Sequence, residues 1–108
     1  MIFGIGTDIL EISRIDKILK KYNQTFVDRV FGTNEIKIIE NKSKNISLFL
    51  GKRFAAKEAV WKALSAKRGD GLVFKEIELN NKLIFDISIS DEPPYVLAFV
   101  VISLAPLV

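Results

Sequence analysis

Two carboxylates and three cations in this sequence have the types and the spacing for phosphate chemistry. Asp8 closes the run Gly4-Ile5-Gly6-Thr7-Asp8, and Glu58 stands in a basic stretch with Arg53, Lys57 and Lys62. Magnesium takes one or two carboxylates, keeps some waters and completes its octahedron with substrate phosphate oxygens. If the fold brings Asp8 to Glu58, the pair can hold such an ion, and Arg53, Lys57 and Lys62 can neutralise the phosphates. The plainer alternatives are a solvated surface helix, or pairing of these cations with Asp or Glu elsewhere in the chain.

The cations are concentrated. Lys52 to Arg68 holds six bases against one acid, a net +5 over 17 residues, which leaves −2 on the other 91. A polyanionic ligand is the functional reading of such a segment. Other chemistries are excluded by composition: with no cysteine and no histidine there is no disulfide framework, thiolate metal site or imidazole acid–base catalysis. The longest apolar run, Tyr95 to Ile102, has eight residues. A membrane-spanning helix needs roughly 20. Asp8 and Glu11 interrupt the first apolar stretch, which also lacks a basic leader, so a cytoplasmic protein away from membranes is expected.

The basic stretch must be positioned by a helix running from Asn45 or Ser47 to about Leu64 or Ala66. Turned at about 100° per residue from Leu50, Arg53 and Lys57 fall at roughly 300° and 340°, and Glu58 and Lys62 at roughly 80° and 120°. Leu50, Phe54 and Trp61 lie between these pairs, and Ala55, Ala56, Ala59 and Ala63 cover most of the remaining arc. Charges interleaved with apolar residues imply close packing, where each charge needs a partner. Glu58 and Lys62 are expected to pair at i,i+4 for about 0.2–0.5 kcal/mol. Arg53 and Lys57 have no acid at that spacing.

Asp8 must come from an opening strand, Ile2 to Ile9, with Ile5, Thr7 and Ile9 on one face and Gly4, Gly6 and Asp8 on the other. Two glycines on one face imply that a backbone or a ligand approaches closely there. Ser13 with Asp16 resembles a capping box for a helix over about 14–22. Arg14 would sit in its first turn, an unfavourable place for a cation by a few tenths of a kcal/mol. Short helices follow at Thr25–Phe31 and, capped by Thr33, at about Asn34–Asn41. After Gly69-Asp70-Gly71 the period falls to two: Leu72–Leu79 and Leu83–Ser90 read as strands joined by Asn80-Asn81-Lys82, and Tyr95–Ser103 as a central strand after a Pro93-Pro94 turn. All 108 residues are expected to form one α+β domain (1–108). In it, a mostly antiparallel sheet packs against a long central helix with short helices beside it.

Gly4-Ile5-Gly6-Thr7-Asp8-Ile9 followed by Arg14-Ile15 resembles the N-terminal signature of the bacterial holo-acyl-carrier-protein synthases. Arg53-Phe54-Ala55-Ala56-Lys57-Glu58-Ala59, then Lys62-Ala63-Leu64, resembles their second signature, in family order and spacing. Gly69-Asp70-Gly71 with Phe74 and Ile77, and Ser88-Ile89-Ser90 before Tyr95, are weaker likenesses. The resemblance covers nearly the whole chain. It implies the 4′-phosphopantetheinyl transferase fold and transfer of phosphopantetheine from coenzyme A to a serine of apo-acyl carrier protein, for fatty acid biosynthesis. It also implies that adenosine 3′,5′-bisphosphate is released, that Asp8 and Glu58 hold magnesium, and that Lys62 lies against the attacked phosphate. Arg53, Lys57 and Lys62 would contact coenzyme A, Arg14 would meet acidic residues of the carrier protein, and Glu58, directly or through a metal-bound water, would be general base. The resemblance implies a homotrimer as well, with active sites between subunits.

The sequence departs from that pattern twice. Relatives carry a Gly-Lys-Pro segment and another helix where Asn80-Asn81-Lys82 joins two strands directly, and many place a histidine where Asp91 stands. Two rivals remain in view. A small nucleic-acid-binding module would bind with strong salt dependence and no need of magnesium, but few aromatics interleave with the bases. A non-catalytic binder of carrier protein would fail to bind coenzyme A with magnesium in calorimetry.

Overall fold

Alternation of apolar residues with glycine makes the opening segment a strand, β1 (Ile2–Glu11), two residues longer than its pattern predicts. The structure, a computed structural model, describes residues 1–22, 24–41, 46–65 and 81–106. Four helices follow: α1 (Ile12–Tyr22), α2 (Gln24–Val30), α3 (Thr33–Glu40) and α4 (Ile46–Ser65). Two long strands, β2 (Asn81–Glu92) and β3 (Tyr95–Pro106), are joined by a turn at Pro93-Pro94. The described sheet has the order β1-β3-β2, with both pairs antiparallel. The α+β expectation, with a central last strand, is met.

One face of the sheet is covered by α4, which packs chiefly on β1 and β3. Gly4, Gly6, Asp8 and Leu10 stand on that face opposite Ile102, Val100, Ala98 and Val96 of β3. Leu10, Leu50, Val96, Val100 and Ile102 are fully buried there, each worth about 1.5–3 kcal/mol by removal from water. The helix answers the glycines with Ala55, Ala59 and Ala63, all buried. A Cβ on Gly6 would collide with the Ala59 carbonyl oxygen and lie 2.9 Å from the Ala63 nitrogen. One on Gly4 would collide with the Ala63 carbonyl oxygen. The backbone whose close approach the paired glycines imply is therefore that of α4.

The short helices brace α4 from its other side. α1 is amphipathic, burying Ile15 and exposing Arg14, Lys17 and Lys21. Phe26 of α2 packs its ring edge-on against Phe31 at 6.0 Å and meets Phe54 of α4 at 5.9 Å.

Several local expectations are corrected. Ser13 and Asp16 do not form a capping box: Ser13 Oγ donates to Glu11 Oε1 at 2.8 Å, and Asp16 accepts from Ser47 Oγ, tying α1 to α4. α3 is capped by Gly32 rather than Thr33, and the Gly32 N–H donates to Glu35 Oε1 at 3.0 Å. Asn81 and Lys82 are strand residues paired with Pro106 and Ala105, not part of a hairpin turn, because β3 runs past Ser103 and offers them backbone partners. The Gly69-Asp70-Gly71 break, the strand expected at Leu72–Leu79, Phe74, Ile77 and Asn80 lie outside the described residues.

Two glycines of this packing should respond oppositely to alanine. In Gly6→Ala the new methyl meets helix backbone, and overpacking of that kind costs about 3 kcal/mol or more. At Gly51, inside α4, a Cβ finds only ordinary contacts with Leu10 at 3.5 Å, Ile15 at 3.8 Å and Val96 at 3.9 Å. Gly51→Ala should therefore stabilise by up to about 1 kcal/mol through helix propensity. Urea midpoints of the two variants, moving in opposite directions from that of the parent chain, check this.

Candidate active site

Asp8 reaches its place because Gly4 and Gly6, four and two residues earlier on the same face, let α4 settle onto β1. Its side chain is only 14% exposed and accepts a hydrogen bond from Lys62 Nζ at 2.9 Å. The same ammonium donates to the Thr7 carbonyl oxygen at 3.0 Å and is itself 53% exposed. Glu58 stands one turn before Lys62, on the same flank of α4, and is half-buried. The expected Glu58–Lys62 pair is absent among the described residues, since the nearby Asp8 carboxylate and Thr7 carbonyl take the ammonium instead. Glu58 has no ion pair or hydrogen bond among the described residues. One strand and one helix thus set two carboxylates and a cation along one flank. Among the described residues no group of three or more acidic, His or Cys ligands gathers, so a metal here would rest on Asp8 and Glu58 with water and substrate oxygens. Their hard carboxylate oxygens suit that ion.

Arg53 and Lys57 lie on the opposite flank and are not unpartnered. Glu35, from α3, accepts from Arg53 Nη1 at 3.2 Å and from Lys57 Nζ at 2.9 Å. The pairing of these cations with an acid elsewhere in the fold, left open by the sequence, is what the structure contains. Burial raises the Glu35 pKa, but the Gly32 N–H, Lys57 and Arg53 outweigh it and hold the carboxyl below the usual glutamate range. Lys52 likewise pairs with Asp91 at 3.0 Å. Glu35 was missed in the sequence because its partners are 18 and 22 residues away, beyond any helical spacing.

Beside this cluster α4 and β2 enclose a groove of about 770 Å³. Its walls include apolar Phe49, Val60, Ile87 and Ile89, and its charged rim is Glu35, Lys52, Arg53 and Lys57. Asp8, Glu58 and Lys62 do not line it. The five residues expected in one site are therefore two clusters: Asp8, Glu58 and Lys62 over the β1 edge, Arg53 and Lys57 over the β2 edge. Arg14 is exposed on α1.

The sequence profile of the 4′-phosphopantetheinyl transferase superfamily matches residues 4–99, from within β1 through α4 and β2 to the start of β3. This chain belongs to that superfamily. It is 39% identical to the holo-[acyl-carrier-protein] synthase of Orientia tsutsugamushi (strain Boryong), over 95% of this chain and 98% of the relative. That alignment runs over 128 positions, more than the 108 residues here, so the relative carries residues that this transferase lacks. Among solved structures, the holo-ACP-synthase from Plasmodium yoelii superposes with a TM-score of 0.74 at 32% identity, covering 94% of each chain. A holo-(acyl-carrier-protein) synthase from Bacillus anthracis str. Ames, in complex with CoA (3′,5′-ADP), gives 0.69 at 32% identity, covering 94% of this chain and 96% of that one. The family resemblance read from the two signatures is borne out, and neither rival reading is favoured.

Glu35 gives this phosphopantetheinyl transferase a pH-dependent contact outside its acid pair. Its carboxyl titrates lower in the folded chain than in the unfolded one, so its stabilising contribution is full above the unfolded value and is lost as pH falls through the folded one. The stability difference between the parent chain and Glu35→Gln should thus be constant from about pH 7 to 6 and shrink as pH falls below the ordinary glutamate value of 4.5. Thermal melts across that range check it.

Proposed function

We propose that this transferase moves 4′-phosphopantetheine from coenzyme A to a serine of an apo-acyl carrier protein, with magnesium, in the cytoplasm, and so serves fatty acid biosynthesis. The carrying observation is the Asp8–Lys62 contact, with Glu58 one turn away on the same flank of α4. Asp8 and Glu58 would hold the magnesium ion, which when bound would supply positive charge against the pyrophosphate. Glu58, with no internal partner among the described residues, takes the proton of the carrier serine hydroxyl. The serine oxygen forms a bond to the phosphorus that bears pantetheine. The bond from that phosphorus to the bridging oxygen breaks, and adenosine 3′,5′-bisphosphate leaves with the electron pair. Lys62, tethered but half in solvent, turns from Asp8 to the phosphate and stabilises the charge that develops there. Arg53 and Lys57 contact other phosphate oxygens of coenzyme A.

Arg14 meets the carrier protein. It is exposed on α1 with Lys17 and Lys21, within roughly a 60° arc at helical spacing. Such a basic stripe suits an acidic partner surface. A location away from membranes fits the lack of any helix long and apolar enough to cross one among the described residues.

We infer a homotrimer with sites between subunits from two further observations. The two charged clusters stand over opposite edges of the sheet, with α4 between them, so one ligand reaches both most directly when a second copy brings the missing half. The sheet face away from α4 also carries exposed Ile5, Ile9, Leu97 and Phe99 side by side, an apolar patch of the kind that subunit contact covers.

Two experiments test these assignments. Incubated with magnesium, coenzyme A and apo-acyl carrier protein, the parent chain should raise the carrier mass by one phosphopantetheine. Glu58→Gln and Lys62→Ala should each lower kcat about 100-fold or more. Arg14→Ala should instead raise the KM for carrier and lose its effect at high salt. A folded parent chain that leaves a cognate carrier unmodified contradicts the proposal. Separately, Phe99→Asp should convert a trimer into monomers in analytical ultracentrifugation and abolish turnover; a chain already monomeric and active would overturn the intersubunit site.

A further inference from the structure

Glu35 has no place in either sequence signature, yet three donors converge on it: the Gly32 N–H, Arg53 Nη1 and Lys57 Nζ. It is 15% exposed, whereas both cations are 43% exposed. The carboxylate is thus the covered, fixed member of the cluster, and the cations are the members that face outward. Its own helix fixes it further, because it sits in the first turn of α3 and accepts the backbone N–H of the capping residue. Both oxygens are engaged, Oε1 by Gly32 and Lys57 and Oε2 by Arg53.

The cations are not exhausted by this contact. A guanidinium has five N–H donors and an ammonium three, so each keeps donors for another acceptor. Both line the groove between α4 and β2. Arg53 is further steadied by lying 5.1 Å from the centre of the Phe49 ring.

We propose that Glu35 is a positioning residue that locks Arg53 and Lys57 side by side as one phosphate clamp on the groove. This rests on the reading of the chain as a coenzyme A-dependent transferase. Unheld, two long side chains on α4 would each lose rotamer freedom when a phosphate bound; held by Glu35, they have already lost it when the chain folds. Glu35 also leaves the cluster with a net charge of +1 rather than +2, which limits its attraction for unrelated polyanions. A carboxylate that merely competed with phosphate for the two cations would act in the opposite direction, and the two roles are separable by the sign of one substitution.

Glu35→Gln keeps an acceptor for the Gly32 N–H, as glutamine serves at this position of a helix start, and removes only the charge. With magnesium and a cognate apo-carrier, the KM for coenzyme A should rise roughly tenfold, the cost of ordering two released side chains, while kcat stays within about twofold. In the Arg53→Ala, Lys57→Ala background the same substitution should leave that KM unchanged. Circular dichroism of each variant reports whether it is folded. A KM that falls in Glu35→Gln identifies a competing anion and overturns the proposal, as does an unchanged KM or a loss confined to kcat. A folded parent chain with no turnover overturns the transferase reading itself, and the clamp with it.

Discussion

Everything at the β1 side of this molecule depends on how near the α4 backbone comes to the strand. Gly4 and Gly6 remove the two side chains that would hold the helix away, and Ala59 and Ala63 present the smallest possible surface to them. The distance matters for chemistry because Asp8 is the next residue on that face. A strand carrying alanine at these positions would meet carbonyl oxygens of α4 and force the helix outward or along its axis. Lys62 would then lose the 2.9 Å contact with Asp8 that defines the cluster. The packing seam and the Asp8–Lys62 cluster are thus one structure, and the weakness that glycine gives a strand is offset by unbroken pairing with β3 from Gly4 to Glu11.

With α4 held so closely, its two flanks become separate environments. Residues facing the sheet are small and buried, so the long side chains are displaced to either side of the contact. On one side Lys62 finds Asp8, and on the other Arg53 and Lys57 find Glu35. The helix has no single polar face because it is not a surface helix with one buried stripe. It is a wedge, packed against the sheet below and α1 and α2 to the side, with charged side chains along both flanks and a groove on the β2 side.

The sequence made much of this legible, for identifiable reasons. The period-two alternation at Leu83–Ser90 and the glycine-marked face at Gly4, Gly6 and Asp8 report local geometry, and local geometry is what patterns encode. The interleaved charges of α4 correctly implied close packing with a partner for each described cation. Identifying the partner was a different matter. Glu35 and Asp91 meet their cations across long stretches of chain, and nothing at either position differs in type from an ordinary surface acid. The Glu58–Lys62 pair failed for the same reason: helical spacing is a strong local rule, but Asp8 arrives from a strand 54 residues earlier and wins the ammonium. Capping misled too, because Ser13 and Thr33 have the right side chains while backbone and tertiary partners decide where a helix starts.

The basic segment also changes meaning once folded. Its described cations, Lys52, Arg53, Lys57 and Lys62, each hold an acid supplied from outside the segment, so the +5 read along the chain is not a bare electropositive surface. Exposed ion pairs of this kind are worth only about 0–1 kcal/mol, so a phosphate carrying more than one charge can compete for the cation. The pairs differ in what could replace a departing cation. Asp8 and Glu35 are about equally covered, 14% and 15% exposed, so losing every donor would strand either carboxylate. Glu35 keeps the Gly32 N–H and a second cation if one of its cations leaves. Asp8 has no other described partner, so Lys62 can leave it at little cost only when another cation takes its place. An exchange of cations at Asp8 and a shared hold at Glu35 are thus two different uses of the same kind of ion pair.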